Sequence, residues 1–309
     1  MTEAAVVEPE VREFEEKQEW WWAAEKKRSK KLDYLRKSVW RKGSTGGNPI
    51  SPIKLDLKPA IKRVALHKKY KHVPGMMRTA MINAEMWDSC QIYITDHSQL
   101  VGSSTETPST EPWNGGGGIS AQAVYNYPDI LPEPLEESLE TVTEIGQYWD
   151  NHGEAFSQFT QTVDPEDYAK FQSGAFAWGS VIGGYSGKNY EYFMTGERAF
   201  EDIIEEIDRY IEEAEEKTLG PANPDILPLY KKINNWEAMK IILEAAIRWS
   251  KRHARLARII AENFESDPKR KEELLRVAET CERVPAKPPR NFQESLQYDH
   301  IIQVLARME

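Results

Sequence analysis

Histidines and cysteines are the side chains of this 309-residue sequence best suited to bind a metal or act as nucleophiles. The six histidines do not pair with one another or with a cysteine at the spacings that hold zinc. His67 and His72 are five residues apart, but the basic segment around them would repel a cation. We therefore expect this chain to bind no metal and no cofactor.

The two cysteines lack the surroundings of a reactive thiol. Cys90 lies in MWDSCQIYI, where apolar neighbours and Asp88 disfavour the thiolate, and Cys281 closes an amphipathic helix. Two cysteines are also too few for a disulfide framework or a four-cysteine iron–sulfur site. We interpret both as buried structural residues and predict no catalytic residue in this segment.

Two other chemical motifs are absent or incomplete. The glycines at 115–118 lack the Gly-Lys-Ser/Thr ending of a phosphate-binding loop, so we interpret them as a flexible turn or a pocket wall. The many carboxylates fall on helix faces that water would cover, and no pair stands out as an acid and a base.

Composition places the chain among globular proteins. Hydrophobic residues make up 40% of it and ten are tryptophans, which allows a real core. No run of about 18 apolar residues could span a membrane, and the N-terminus lacks the pattern of a secretory signal. With so few cysteines, the expected location is the cytoplasm.

Charge is distributed unevenly along the chain. From Lys26 to Lys71 there are sixteen lysines and arginines against two aspartates, and from Asp129 to Lys217 there are twenty-two acidic residues against five basic ones. The basic stretch could follow phosphates or dock on an acidic protein surface, including this protein's own second half. No nucleic-acid-binding motif accompanies it, so we expect no nucleic-acid partner.

Residues 1–57 are predicted to form an N-terminal extension, with a basic helix over 13–41 and a flexible linker over 43–52. Trp20, Trp21 and Trp22 cannot share one helix face. They favour an aromatic anchor to this protein or a partner over an interfacial membrane helix.

Residues 58–309 are predicted to be mainly α with a few short strands. Gln91–Ser103 is interpreted as a short strand, a polar turn and a second apolar run. Asp267-Pro268 and Asn291 with Glu294 are typical of helix starts. On the last helix, Ile301, Ile302, Val304 and Leu305 form an apolar face that needs a partner. Helices are predicted over 58–70, 76–87, 132–152, 165–171, 197–216, 229–264 and 267–281.

One block carries a family resemblance. Residues 236–297 resemble a segment of the glycyl radical enzymes of the pyruvate formate-lyase type, in which a helix rich in Ala, Arg and His leads to DPxRKxEL and then VPAxPPxxFxEALQ. This chain has DPKRKEEL from Asp267 and VPAKPP from Val284, followed by NFQESLQ. Upstream, IYITDHSQLVGS is similar to the family's IYIxDxELIVGN. The order and spacing match over most of 58–309.

The resemblance implies that this chain is the N-terminal helical part of a ten-stranded α/β barrel. Such enzymes hold a glycyl radical, installed by a radical-SAM activase, which generates a thiyl radical on a central cysteine. Both radical residues lie beyond the matched region, so Cys90 and Cys281 are not assigned that role. The implied partners are the remaining C-terminal part of the enzyme, the activase, and small accessory subunits with iron–sulfur clusters.

Within this family the sequence most resembles the large subunits of alkylsuccinate and benzylsuccinate synthases, which add a hydrocarbon to fumarate. Where diol-dehydratase-type relatives carry Gly-His, this chain has Gly179-Ser180, in apolar and aromatic surroundings. We expect Trp178, Ser180 and Tyr185 to line the substrate pocket; alternatively, they pack the barrel against the N-terminal helices. The competing functions are an arylacetate decarboxylase of the same family and a catalytically inactive scaffold.

Overall fold

The computed structural model describes residues 54–96, 98–106, 110–112, 130–152, 163–172, 198–218 and 226–308. All of them fall in one unit, Ile53–Glu309. The expected N-terminal helix and linker lie outside these ranges and remain predictions.

Within the described ranges the chain forms eight helices and two three-residue strands, which confirms a mainly α fold with a few short strands. The strands β1 (Lys54–Asp56) and β2 (Thr110–Pro112) pair in parallel. The helices are α1 (Lys58–Lys69), α2 (Gly75–Ser89), α3 (Leu135–His152), α4 (Pro165–Gln172), α5 (Phe200–Thr218), α6 (Ile226–Asn263), α7 (Pro268–Arg283) and α8 (Phe292–Arg307).

Helix α6 organises the unit, because α2, α5, α7 and α8 all contact it. It is a single helix of 38 residues, as the predicted helix over 229–264 requires. Small buried side chains let neighbouring helices approach its backbone closely. These are Ala245, Ala246, Ala254, Ala257 and Ala261.

Both predicted helix starts are confirmed. The Asp267 carboxylate accepts a hydrogen bond from Lys269 N at 3.0 Å, and Pro268 follows at the first helical position, where its missing N–H is harmless. At α8 the Asn291 side chain accepts from Glu294 N at 3.0 Å. The Glu294 carboxylate accepts from Arg290 N instead of from Asn291 N, so the capping box is shifted by one residue.

The predicted strand within Gln91–Ser103 is wrong, because none of the described residues there is in a strand. A side chain takes the place of a neighbouring strand. Gln297 Oε1 accepts from Val101 N at 2.9 Å, and Gln297 Nε2 donates to Val101 O at 2.7 Å. Both backbone groups of Val101 are thereby satisfied without a β-ladder.

Buried hydrophobic residues form a central core and a separate cluster between α1 and α3. The central core joins α2, α6 and α8 around Trp249, and it includes the apolar face of the last helix at Ile301, Val304 and Leu305. That face therefore has a partner within this chain. The α1–α3 cluster is separate and contains Leu131, Val142 and Ile145.

Candidate functional site

The three residues predicted to line the substrate pocket, Trp178, Ser180 and Tyr185, lie outside the described residues. The structure does describe the point at which the chain after them enters α5. Ala199, just before that helix, is fully buried. The groups that contact Ala199 and the first residues of α5 therefore show how the chain is held where it enters this helix.

Backbone carbonyls of the Val-Pro-Ala-Lys-Pro-Pro turn hold the start of α5. Phe200 N donates to Pro285 O at 3.1 Å, and Glu201 N donates to Ala286 O at 3.0 Å. The Asp202 carboxylate accepts from Ala199 N at 2.8 Å. Three N–H groups at a helix start, which have no partner within the helix, are satisfied in this way.

Ser250 of α6 contacts the same turn through its hydroxyl group. Its Oγ lies 2.9 Å from Cys281 O and 2.6 Å from Val284 O, and the side chain is buried. Arg283 Nε donates to Pro288 O at 2.8 Å. The Val284–Pro285 peptide bond inside the turn is cis. The motif that resembles VPAxPP thus joins α5, α6 and α7.

A buried carboxylate completes this framework at the start of α8. The Glu294 side chain is 3% exposed, and it accepts from Arg290 Nη2 at 2.6 Å and from Arg290 N at 2.6 Å. Burial opposes its ionisation, but the hydrogen bonds and charge of Arg290, with the charge of Arg283, outweigh burial and lower the pKa of Glu294. Glu294 is therefore a structural anion and not a proton donor at neutral pH.

A close backbone approach explains the glycine of the IYITDHSQLVGS block. Gly102 has φ +122°, and a Cβ at this position would lie 2.5 Å from Trp249 Cη2. His300 Nε2 lies 3.2 Å from Gly102 O on the other side. Only glycine satisfies both the backbone conformation and the contact with the indole ring.

His253 lies in this core as a neutral residue. Its Nδ1 lies 3.0 Å from Trp249 O, and its Nε2 has no hydrogen-bond partner among the described residues. Burial lowers the pKa of His253 to about 4, and the backbone hydrogen bond only partly opposes that shift. The bond to a carbonyl requires a proton on Nδ1, so Nε2 carries the lone pair.

Both cysteines are buried, as predicted. Burial raises the pKa of the Cys281 thiol to about 12, so the thiolate is not formed near neutral pH. Cys90 Sγ lies 3.4 Å from Trp87 O, and Arg252 donates to the Trp87 and Cys90 carbonyls at 2.6 Å each. Cys90 therefore lies within the C-terminal cap of α2.

An apolar groove opens between α2, α5, α6 and α8, with a volume of about 450 Å³. Its floor includes Trp87, Ala246 and Leu305, all buried. Met76 and Met239 lie at its rim and are 64% and 48% exposed. The sequence does not predict this groove. Helical periodicity identifies the apolar faces of helices, but it does not show which of those faces remains uncovered by another helix.

The described residues contain no group of three or more His, Cys, Asp or Glu side chains able to hold a metal ion. Among the helices in these ranges, none is both long and apolar enough to cross a membrane. What the described part of the site can do is position two chain segments and present apolar surface.

Comparisons with known proteins agree with this architecture. The profile of the pyruvate formate lyase-like family matches residues 28–309. A glycyl radical enzyme from Archaeoglobus fulgidus superposes on 90% of this chain with a TM-score of 0.70 at 24% identity. Because the identity is below 25%, this likeness carries the fold alone.

Two curated relatives differ in activity. The isethionate sulfite-lyase of Nitratidesulfovibrio vulgaris is 27% identical over 256 residues, and the indoleacetate decarboxylase of Tractidigestivibacter scatoligenes is 29% identical over 175 residues. These matches cover 76% and 55% of this chain. The chain spans only 29% and 19% of those relatives and 34% of the Archaeoglobus structure.

Proposed function

This chain belongs to the pyruvate formate lyase-like family of glycyl radical enzymes, and from that premise we propose that it is the N-terminal part of an enzyme adding a hydrocarbon to fumarate. The single observation behind this choice is the composition of the segment before α5. Phe176, Trp178, Val181 and Tyr185 are the sequence neighbours of Ser180, at the place where diol-dehydratase-type relatives carry histidine. An apolar, aromatic wall suits a hydrocarbon better than a polar substrate.

The contacts at the start of α5 support this proposal, because they fix the point at which the chain enters this helix after the aromatic segment. The carbonyls of Pro285 and Ala286 hold the first N–H groups of α5, and Ser250 holds the turn. A pocket wall that excludes water must keep its geometry while a reactive carbon radical is present. We propose that Trp178, Ser180 and Tyr185 belong to that wall and that the motif residues keep it in place.

The proposal requires partners. The remaining part of the enzyme would form the barrel and supply the thiyl cysteine and the radical glycine. A radical-SAM activase would install the radical, and small accessory subunits with iron–sulfur clusters would accompany the large one. The thiyl radical would take a hydrogen atom from the hydrocarbon, whose carbon radical adds to fumarate and recovers the hydrogen atom, giving a substituted succinate.

An arylacetate decarboxylase is the second candidate, because an indoleacetate decarboxylase is among the relatives. It would use the same aromatic wall and, like the addition to fumarate, would need a cation for a substrate carboxylate. In the described part of the framework, Arg290 already bonds Glu294 and Glu279, and Arg252 bonds the end of α2. These two arginines are therefore poor candidates for a substrate carboxylate.

The test is to isolate the native assembly without oxygen, activate it, and record its EPR spectrum and products. We expect a glycyl-radical doublet and, with fumarate plus hexane or toluene, a substituted succinate detected by mass spectrometry. Release of carbon dioxide from indoleacetate, or of sulfite from isethionate, without any succinate product would reject fumarate addition. Absence of a radical in an activated, intact assembly would favour an inactive scaffold.

The pocket assignment has its own test in the active assembly. Replacing Tyr185 by Ala should shift turnover toward bulkier hydrocarbons, because the wall loses about 100 Å² or more of aromatic surface. Unchanged relative rates with small and bulky hydrocarbons would leave Tyr185 with a packing role only.

A further inference from the structure

The groove between α2, α5, α6 and α8 lacks the features of a small-molecule site. Its polar side chains are Thr79 and Asn83. Asn83 is buried, and its Oδ1 accepts from Arg63 Nη2 at 3.2 Å. Small-molecule pockets have a few polar groups that orient the ligand, whereas this groove offers mainly hydrocarbon surface. Such a surface suits the apolar side chains of a polypeptide.

The end of α8 lies at this groove. Ile302, Leu305 and Ala306 from its last two turns form part of the wall. The same Arg63 nitrogen that donates to Asn83 also donates to Met308 O, at the C-terminal cap of α8. Arg63 thus fixes the point at which the backbone leaves α8, beside the groove.

Relatives of this chain are much longer. The chain covers 90% of its own length in the superposition on the Archaeoglobus enzyme, yet only 34% of that enzyme's length. About two thirds of such an enzyme therefore has no counterpart here. In a protein built this way, the polypeptide that follows α8 starts beside an apolar groove whose rim is exposed in the present chain.

We propose that this groove is the seat of the polypeptide that follows α8 in the complete enzyme, which covers it with apolar side chains. This inference rests on the proposed function in one respect only, namely that a C-terminal part exists. It names Met76 and Met239 as contact residues and predicts that both become buried in the complete enzyme. Burial of methionine at an interface is favourable, because its unbranched, polarisable side chain adapts to the neighbouring surface.

Thiol labelling can test the seat, since the native Cys90 and Cys281 are both buried. Met239→Cys and Met76→Cys place a reporter at the rim, and Glu212→Cys on the exposed side of α5 is the matched control. Each variant is labelled with a maleimide in the complete assembly, once in the native state and once unfolded in urea, and the labelled peptide is quantified by mass spectrometry so that other thiols, the thiyl cysteine among them, do not contribute. Comparing one position between two states cancels its intrinsic reactivity.

We expect both rim thiols to react at least about tenfold more slowly in the native assembly than in the unfolded one, because a covered thiol reacts only when the covering segment opens. The Glu212→Cys rate should change by less than about twofold on the same grounds. Equal rim rates in the two states would overturn the inference, and so would a native protein with no further polypeptide.

Protection of the rim thiols and formation of a succinate product are independent results, so the groove proposal and the proposed function can fail separately. Protection of the rim without any succinate product would reject fumarate addition and keep the seat. Succinate formation by an assembly with reactive rim thiols would do the reverse.

Discussion

Two histidines, one in each of two buried regions, show how depth changes the behaviour of the same side chain. His253 in the central core is 1% exposed and bonds a backbone carbonyl of its own helix. His67 joins α1 to α3 through its Nδ1, 2.8 Å from Tyr148 Oη, and it is only partly buried. Burial lowers the pKa of both, and for His253 the value falls to about 4.

The surrounding structure differs in the same way. Around α6, side chains such as Gln297 and Ser250 hold backbone groups of distant segments, so atomic positions are closely defined. Between α1 and α3, the His67 ring meets Tyr148 and Trp149 edge-on, beside the aliphatic cluster that includes Val142 and Ile145. Ring contacts of this kind adjust to small shifts. We therefore expect substitutions near α6 to be the more damaging.

The largest effect should come from Gly102→Ala. The new Cβ would lie 2.5 Å from the Trp249 ring, in a backbone conformation with φ +122°. We expect a loss of about 3 kcal/mol in the free energy of unfolding, from clash and backbone strain together. Gly75→Ala is the matched control. Gly75 also has a positive φ, +22°, but nothing lies within 4 Å of the Cβ that the substitution adds. Urea denaturation showing equal losses for the two variants would contradict the prediction.

His253 should make the stability of the central core depend on pH. Its folded pKa is about 4 and its unfolded pKa about 6.5, so the unfolded state binds the proton first as pH falls. Its contribution is complete above pH 6.5, and about 3 kcal/mol is lost on going down to pH 4. The difference between wild type and His253→Leu, measured by urea denaturation across this range, should carry that slope. A parallel pH dependence of the two proteins would show that His253 is hydrated in the folded state.

Glu294→Gln should have an intermediate effect, about 2 kcal/mol, because a charge-assisted network with Arg290 is weakened in a buried place. Since the folded pKa is lowered, the contribution of Glu294 is present above its unfolded pKa, about 4.3, and is lost as pH falls below it. Glu279→Gln removes another partner of Arg290, but that carboxylate is 68% exposed. This control should lose less than about 0.5 kcal/mol, so similar denaturation midpoints for the two variants would refute the distinction.

The smallest effect belongs to the other region. Tyr148→Phe keeps the ring contacts and removes the hydroxyl that meets His67, so we expect a loss of about 1 kcal/mol or less. The lowered pKa of His67 gives the same sign as that of His253: stability is lost as pH falls below about 6.5. If Tyr148→Phe lowered the urea midpoint as much as Gly102→Ala, the expectation that substitutions near α6 are the more damaging would be wrong.

The sequence predicts the helices well where local chemistry determines them. Asp267-Pro268 and Asn291 each supply a cap that the structure contains. These features depend on residues a few positions apart, which a sequence pattern displays directly. Family membership was also predictable, because the DPxRKxEL and VPAxPP blocks keep their order and spacing.

Long-range contacts were not predictable in this way. Gln91–Ser103 has the composition of a strand, but the partner of Val101 is an amide 196 residues away. The role of Ser250 likewise depends on a turn more than 30 positions further along. The groove escaped prediction for a related reason, since it exists only where faces of four helices meet and leave a gap.

The pairing of Val101 with Gln297 also has a consequence for synthesis of the protein. The loop that contains Val101 gains its partner only after another 196 residues have been translated. At ribosomal speeds of about 5 to 20 residues per second, that delay is roughly 10 to 40 s. During this time the apolar residues of the loop must wait without their final contact, so a chaperone that binds nascent chains would find its target here.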